Sequence, residues 1–207
     1  MPALTGAERL PRGRHDLSRE EVEASQRARL LMALATAMTE KGYVGTSVAD
    51  VLKRSGVGRE TFYQLFSSKL DCFMQAFDAA GELLLHRIEE AAVEAEGTPL
   101  ERFEHAFGTY LDILAEQPAL ARVFLVEVYA AGPEALARRA ALQERIVDRL
   151  ALLLDARHEG DRFACQVLVA AVGSLVTTPL LTDDTAALQA LRTKVVALVR
   201  AILATRE

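Results

Sequence analysis

The chain has 207 residues, 51% hydrophobic and 26% charged, which allows a sizeable core and an ordinary polar surface. Its two cysteines, Cys72 and Cys165, stand far apart in no metal-like spacing, so neither a disulfide framework nor a zinc site is expected, and no cofactor or metal is implied. The net charge of −5 is uneven: residues 1–70 carry 11 Lys+Arg against 8 Asp+Glu, and the remaining 137 carry 13 against 21, a basic N-terminal third on an acidic body, as expected if one end meets phosphate.

Residues 1–15 contain Pro2, Gly6, Pro11 and Gly13 and read as a flexible arm, whose Arg9, Arg12 and Arg14 are suited to tracking phosphate or entering a minor groove. They carry no apolar core of a signal peptide. Ser18 with Glu21 three residues later forms a capping box, predicting a helix to about residue 41 that Gly42 ends, with Leu30, Leu31, Leu34, Ala37 and Met38 as its apolar stripe. A short helix follows behind Thr46 or Ser47, carries Val48, Val51 and Leu52, and stops at Ser55-Gly56-Val57. Another spans about residues 58–65 with Phe62, Leu65 and Phe66 facing inward. A long fourth helix opens at Ser67-Ser68, places Leu70, Phe73, Met74, Phe77, Leu84 and Ile88 at helical spacing, and fades at Gly97.

Further starts are marked by Thr98-Pro99-Leu100-Glu101, by Pro118, and by Pro133 behind Gly132. Asp161 is the expected cap of a helix to about residue 178, and Asp183 or Asp184 of a last one to about residue 205. The apolar run over residues 167–181 reads as too short for a membrane span and too interrupted by Gly173, Ser174, Thr177, Thr178 and Pro179. The expected fold is all-α with about nine helices, in a cytoplasmic protein with no membrane partner.

Residues 42–77 carry the functional signal. Two short helices joined by a turn containing Gly56 form a helix-turn-helix, and the second is free to lie in the major groove. From its N-cap Gly58, its outward residues suit that role: Arg59 donates to guanine or phosphate, Glu60 accepts from cytosine, Thr61 offers a hydroxyl and a methyl, and Tyr63 and Gln64 reach phosphate or base edges. Thr46 and Ser47 sit at a helix N-terminus, a natural phosphate contact, and Lys69 is placed to grip the DNA backbone on the far side.

The elements Gly42-Tyr43, Thr46-Ser47-Val48, Ser55-Gly56-Val57, Thr61-Phe62-Tyr63-Gln64-Leu65-Phe66 and Ser68-Lys69 closely resemble the DNA-binding domain of TetR-type repressors. Glu60 stands where that family often has a small residue, and Leu70 where it often has Glu. The resemblance implies a DNA-binding domain over residues 1–66 and a helical ligand-binding and dimerisation domain over residues 67–207. It implies a homodimeric regulator, a repressor, that binds an inverted-repeat operator in double-stranded DNA and is released by a small apolar ligand. Candidate ligand contacts are Phe77, Phe103, Phe107, Tyr110, Phe124, Glu127, Cys165 and Gln166, with His86, His105 and Tyr129 as further polar or aromatic candidates. The last two helices of each subunit are expected to form a four-helix bundle through Val167, Ala171, Ser174, Leu175, Leu191, Val195, Leu198 and Ile202. A ligand packed beside the fourth helix would tilt it and change the spacing of the recognition helices, set about one DNA turn (roughly 34–36 Å) apart. Two rival readings remain: an enzyme, for which the sequence offers no phosphate loop, nucleophile elbow or His/carboxylate cluster, and a regulator that kept the fold but lost DNA binding, with Glu60 as its suspicious residue.

Overall fold

The computed structural model describes residues 18–205, all helix and connection with no strand among them. The predicted arm with Arg9, Arg12 and Arg14 lies outside the described residues. In chain order the helices are α1 (Arg19–Gly45), α2 (Val48–Ser55), α3 (Arg59–Leu65), α4 (Lys69–Glu94), α5 (Pro99–Glu116), α6 (Pro118–Leu125), α7 (Pro133–Leu153), α8 (Glu159–Leu181) and α9 (Thr185–Ala204), with a 3-10 turn, Glu127–Tyr129, after α6.

Local capping chemistry explains most boundaries. Ser18, Ser47 and Thr98 each accept from the N–H three residues on, while Glu21, Asp50 and Glu101 reach back to the cap N–H. Asp184 caps α9 through Ala187 N–H, as the sequence suggests. The start of α8 differs: His158, not Asp161, is its N-cap, and Asp161 is the N3 residue that bonds back to the His158 N–H. The helix also runs through Pro179, which lies in its last turn, so α8 is longer than its sequence suggests. By length and composition alone α8 is long and apolar enough to cross a membrane, because it begins at Glu159, ahead of the apolar run over residues 167–181; a helix packed in a core meets the same description.

Two apolar cores organise the chain. The first joins α1, α2 and α3 to α4 and continues without a break into α6, the 3-10 turn and the first half of α7, through Leu34, Phe62, Phe66, Phe73, Phe77, Val123 and Val128. The second lies among α5, α7, α8 and α9, around Phe107, Leu111, Val147, Leu168, Val176 and Val199. Helices α4 and α7 run side by side in the same direction, joined by ion pairs Arg138–Asp78 at 3.0 Å, Arg145–Glu82 at 2.6 Å and Arg149–Glu89 at 2.9 Å. These pairs are exposed, so each contributes about 0–1 kcal/mol and serves alignment more than stability.

Candidate nucleic-acid interface and apolar cavity

The corner between α1 and α2 is fixed by backbone geometry. Gly42 breaks α1 with φ 65° and ψ 171°, a conformation that L side chains rarely adopt, which gives the Gly-Tyr pair its physical meaning. The turn leaves the Tyr43 N–H outside the helix ladder, and the buried carboxylate of Glu127 accepts it at 2.6 Å. On the other side, Lys69 Nζ donates to the carbonyls of Tyr43 at 2.8 Å and Thr46 at 2.9 Å, and sits 4.1 Å from the Tyr43 ring centroid. Partial burial pushes the Lys69 pKa down and that of Tyr43 up. Thr46 is buried, its hydroxyl donating to Gly42 O at 2.7 Å. Thus Thr46 and Lys69, expected at phosphate, have their side chains committed to this corner.

Ser47 remains exposed at the start of α2, bonded to Asp50, and Lys41 pairs with the same carboxylate at 2.5 Å. Lys41 first, then Ser47, hold the Asp50 pKa well below the usual carboxylate range. Gly56 then closes α2 in the left-handed region at φ 65°, its N–H bonding Leu52 O at 2.9 Å, and Arg29 donates to the Ser55 carbonyl, tying the turn to α1. Helix α3 leaves this turn with Phe62 and Leu65 buried and Gly58, Arg59, Glu60, Tyr63 and Gln64 exposed on its outer side; Thr61 is half-buried. Arg59 lies 5.5 Å from the Tyr63 ring centroid, whereas Glu60 meets Gln64 at 3.4 Å. Glu60 is therefore engaged by an amide one turn on, and Arg59 keeps its donors for another partner. Val44, 80% exposed beside this corner, is an apolar residue on the same end of the molecule that the sequence reading passes over, because it sits on no helical stripe.

A second feature lies in the body: a cavity of about 620 Å³ between α4, α5, α6, α7 and α8, lined mainly by apolar side chains. Of the sequence candidates, Phe103, Phe107, Tyr110 and Phe124 line it. Phe77 lies outside, in the first core, with its ring 4.6 Å from that of Phe124. Glu127 belongs to the α1–α2 corner instead, Cys165 is buried in the second core, and Gln166 points to Glu144 at 3.4 Å. His86 pairs with Glu90 on the surface of α4, and Arg139 lies 5.1 Å from the Tyr129 ring centroid. The polar lining that the sequence reading missed is Glu89, Arg102, Arg139, Gln143 and Arg149. Its signal was a charged residue on an apolar stripe: Arg102 precedes Ala106 and Tyr110 by four and eight residues. Burial pushes the Tyr110 pKa up, so its hydroxyl stays protonated.

The outer faces of α8 and α9 expose Phe163, Val167, Leu175 and Leu198. Ser174 is exposed beside them, with Ala171 and Ile202 half-buried. Leu191 and Val195, expected at the dimer face, instead fill the second core at 9% and 4% exposure, because α9 carries apolar residues on both sides.

Residues 30–76, from the buried stripe of α1 to the first turns of α4, match the model of bacterial regulatory proteins of the tetR family. Over residues 30–76 the chain therefore carries a DNA-binding segment of the tetR-family type. It is 32% identical over 92 residues to an uncharacterized HTH-type transcriptional regulator, YvdT, of Bacillus subtilis (strain 168), a match covering 44% of this chain and 43% of that protein. This match therefore spans less than half of the relative. The whole fold is similar to that of the fatty acid degradation regulator FadR from Bacillus halodurans, with TM-score 0.75, 22% identity, and coverage of 84% of this chain and 93% of that one. It is also similar to FadR from Bacillus subtilis in complex with stearoyl-CoA, with TM-score 0.71, 22% identity, and coverage of 82% and 95%.

Proposed function

We propose that the chain is a cytoplasmic, homodimeric transcriptional regulator, a repressor with no catalytic role, which binds an inverted-repeat operator through α3 and is released when a small apolar ligand fills the body cavity. The observation that carries the reading is the division of α3. Its inner face, Phe62 and Leu65, is locked in the core, while Arg59, Glu60, Tyr63 and Gln64 project outward from one short helix. Arginine bidentate to guanine and an acidic acceptor for cytosine are major-groove chemistry. Thr46, Ser47 and Lys69 then act at the phosphates mainly through the backbone they position, with the exposed Ser47 hydroxyl nearest to a direct contact.

The homodimer rests on the exposed apolar residues of α8 and α9, a face that a second copy of the same two helices would cover. A partner's helices, not lipid, are the cover proposed for α8, since the same helix contributes its other face to the second core. Residues 18–66 form the DNA-binding unit and 67–205 the sensing and dimerising unit, yet the first core crosses that boundary. That continuity supplies the route for release. Leu84, Leu85 and Ile88 of α4 line the cavity, and the same helix begins at Lys69, which holds the Tyr43 and Thr46 carbonyls. Phe124 also lines the cavity, three residues before Glu127, which holds the Tyr43 N–H. Both paths converge on the corner that orients α2 and α3. A ligand that prefers a shifted α4 or α6 thereby favours a different α3 placement. A ligand with a long apolar part, such as the acyl chain of the compound in the B. subtilis FadR complex, meets the demands of the lining.

The test is a fluorescence-anisotropy titration of the full chain on the DNA upstream of its own gene, at several salt concentrations, beside Arg59→Ala and Tyr63→Ala. Tight binding that weakens steeply with salt and is lost in both variants is expected. Equal binding by all three proteins would remove α3 as the reading element.

A further inference from the structure

We propose that the body cavity takes an anionic amphiphile, an apolar chain ending in a carboxylate or phosphate, and that Arg102 receives the anionic end. The inference rests on the reading of the cavity as the effector site and specifies what that site recognises.

The cavity wall carries an excess of positive charge in the acidic part of the chain. Residues 71–207 hold 13 Lys+Arg against 21 Asp+Glu, yet the charged groups on the lining are Arg102, Arg139, Arg149 and a single carboxylate, Glu89. Glu89 is already taken, paired with Arg149 at 2.9 Å. That leaves Arg102 and Arg139 with no carboxylate partner among the described residues. The two differ in what else they touch. Arg139 donates to Gln143 Oε1 at 3.1 Å and stacks over Tyr129, so part of its guanidinium is satisfied. Arg102 is half-buried, lies against Phe103 and the other apolar lining, and its Nε is buried with no hydrogen-bond partner.

The Nε–H of Arg102, withdrawn from water with its bond unmet, is costly unless an acceptor arrives, and the fork that Nε forms with a terminal nitrogen matches a carboxylate or phosphate. None of the described residues supplies that acceptor, although the surface of the same helices carries acidic residues: Glu101 is held by the Thr98 cap and Glu104 faces Arg192. The rest of the cavity asks for hydrocarbon. At about 30 Å³ per water-sized group, 620 Å³ holds on the order of twenty non-hydrogen atoms. Arg102 lies on the first turn of α5 and the Glu89–Arg149 pair near the C-terminal ends of α4 and α7, beside the exposed Val93 and Leu152 of the lining; Phe124 and Leu142 lie toward the DNA-binding end. An amphiphile would thus place its anion at the distal mouth and its chain against Phe124, three residues before Glu127.

The experiment is isothermal titration calorimetry of the full chain with dodecanoate, dodecanol and dodecanoyl-CoA, repeated on Arg102→Gln and Arg102→Lys with melting curves to confirm folding. Dodecanoate should bind at least about tenfold more tightly than dodecanol; Arg102→Gln should erase that preference without weakening dodecanol, and Arg102→Lys should keep much of it. Binding of dodecanoyl-CoA over both others, lost in Arg102→Gln, would support the anionic subsite and assign the anion to the phosphates of an activated thioester. Equal binding of acid and alcohol by the wild type, or a preference unchanged in Arg102→Gln, would overturn the proposal and leave the cavity as an apolar site. Binding of none of the three would overturn the effector-site reading with it.

Discussion

The core beneath α3 and the core around the cavity are filled differently. In the first, Phe62, Phe66, Phe73 and Phe77 are each at 1% exposure or less, and α1, α4 and α6 close around them. In the second, Phe103 and Phe107 stack at 5.6 Å between ring centroids, yet they border a hollow of about 620 Å³. A closely filled interior transmits displacement because its side chains have nowhere to go, whereas a hollow one has room to rearrange around an occupant. The DNA-reading end is therefore built to keep its shape and the body to change it. Tyr43, held by Lys69 from α4 and by Glu127 after α6, is where the two meet.

The largest expected break in this contrast comes from emptying the filled core. Phe62→Ala should cost about 3–5 kcal/mol in chemical denaturation, because the site cannot collapse. Phe107→Ala, beside an existing hollow, should cost clearly less and act mainly on ligand affinity; equal losses would mean the cavity is closed in solution. Next in size is Arg59→Ala, which should lower operator affinity by about 1–3 kcal/mol at unchanged melting temperature, as read by anisotropy and calorimetry.

Glu127→Ala sharpens the junction itself. It leaves the Tyr43 N–H without its acceptor, a cost of about 1–3 kcal/mol, and should reduce the ratio of operator affinities without and with ligand more than it changes ligand affinity. Glu127→Gln, which retains an acceptor oxygen, should restore part of that ratio; a ratio untouched in both variants would place the coupling elsewhere. The smallest effect concerns acid. The Asp50 carboxyl is held below its ordinary value of 3.8 by Lys41 and Ser47, so its contribution is present above that value and is lost as pH falls through the lower folded-state one. Protection of the α2 amides, relative to intrinsic exchange at each pH, should fall as the pH is lowered below about 3.8, and Asp50→Asn should flatten that fall.

What the sequence revealed follows the range of the forces involved. The caps at Ser18, Ser47 and Thr98 and the turn glycines at 42 and 56 act within three or four residues, so the reading frame of the first helices was legible. Side-chain commitments across the fold were not. Lys69 reaches back 26 residues to Tyr43 and Glu127 reaches 84, and no local spacing distinguishes these from surface or cavity roles. The cavity's polar wall is assembled from α4, α5 and α7, so only its aromatic lining, Phe103, Phe107 and Tyr110 on α5 and Phe124 on α6, was visible. On α9, neighbouring Leu198 and Val199 are both apolar, one exposed and one buried, which is why periodicity misplaced Leu191 and Val195.

The most direct test of the central claim is selection from a random double-stranded DNA pool with the wild-type chain, run in parallel with Arg59→Ala, followed by sedimentation of the wild-type complex. The account predicts enrichment of an inverted repeat with half-sites about one helical turn apart, bound by an even number of chains and not enriched by the variant. No enrichment, or the same sequences recovered by both proteins, would contradict it.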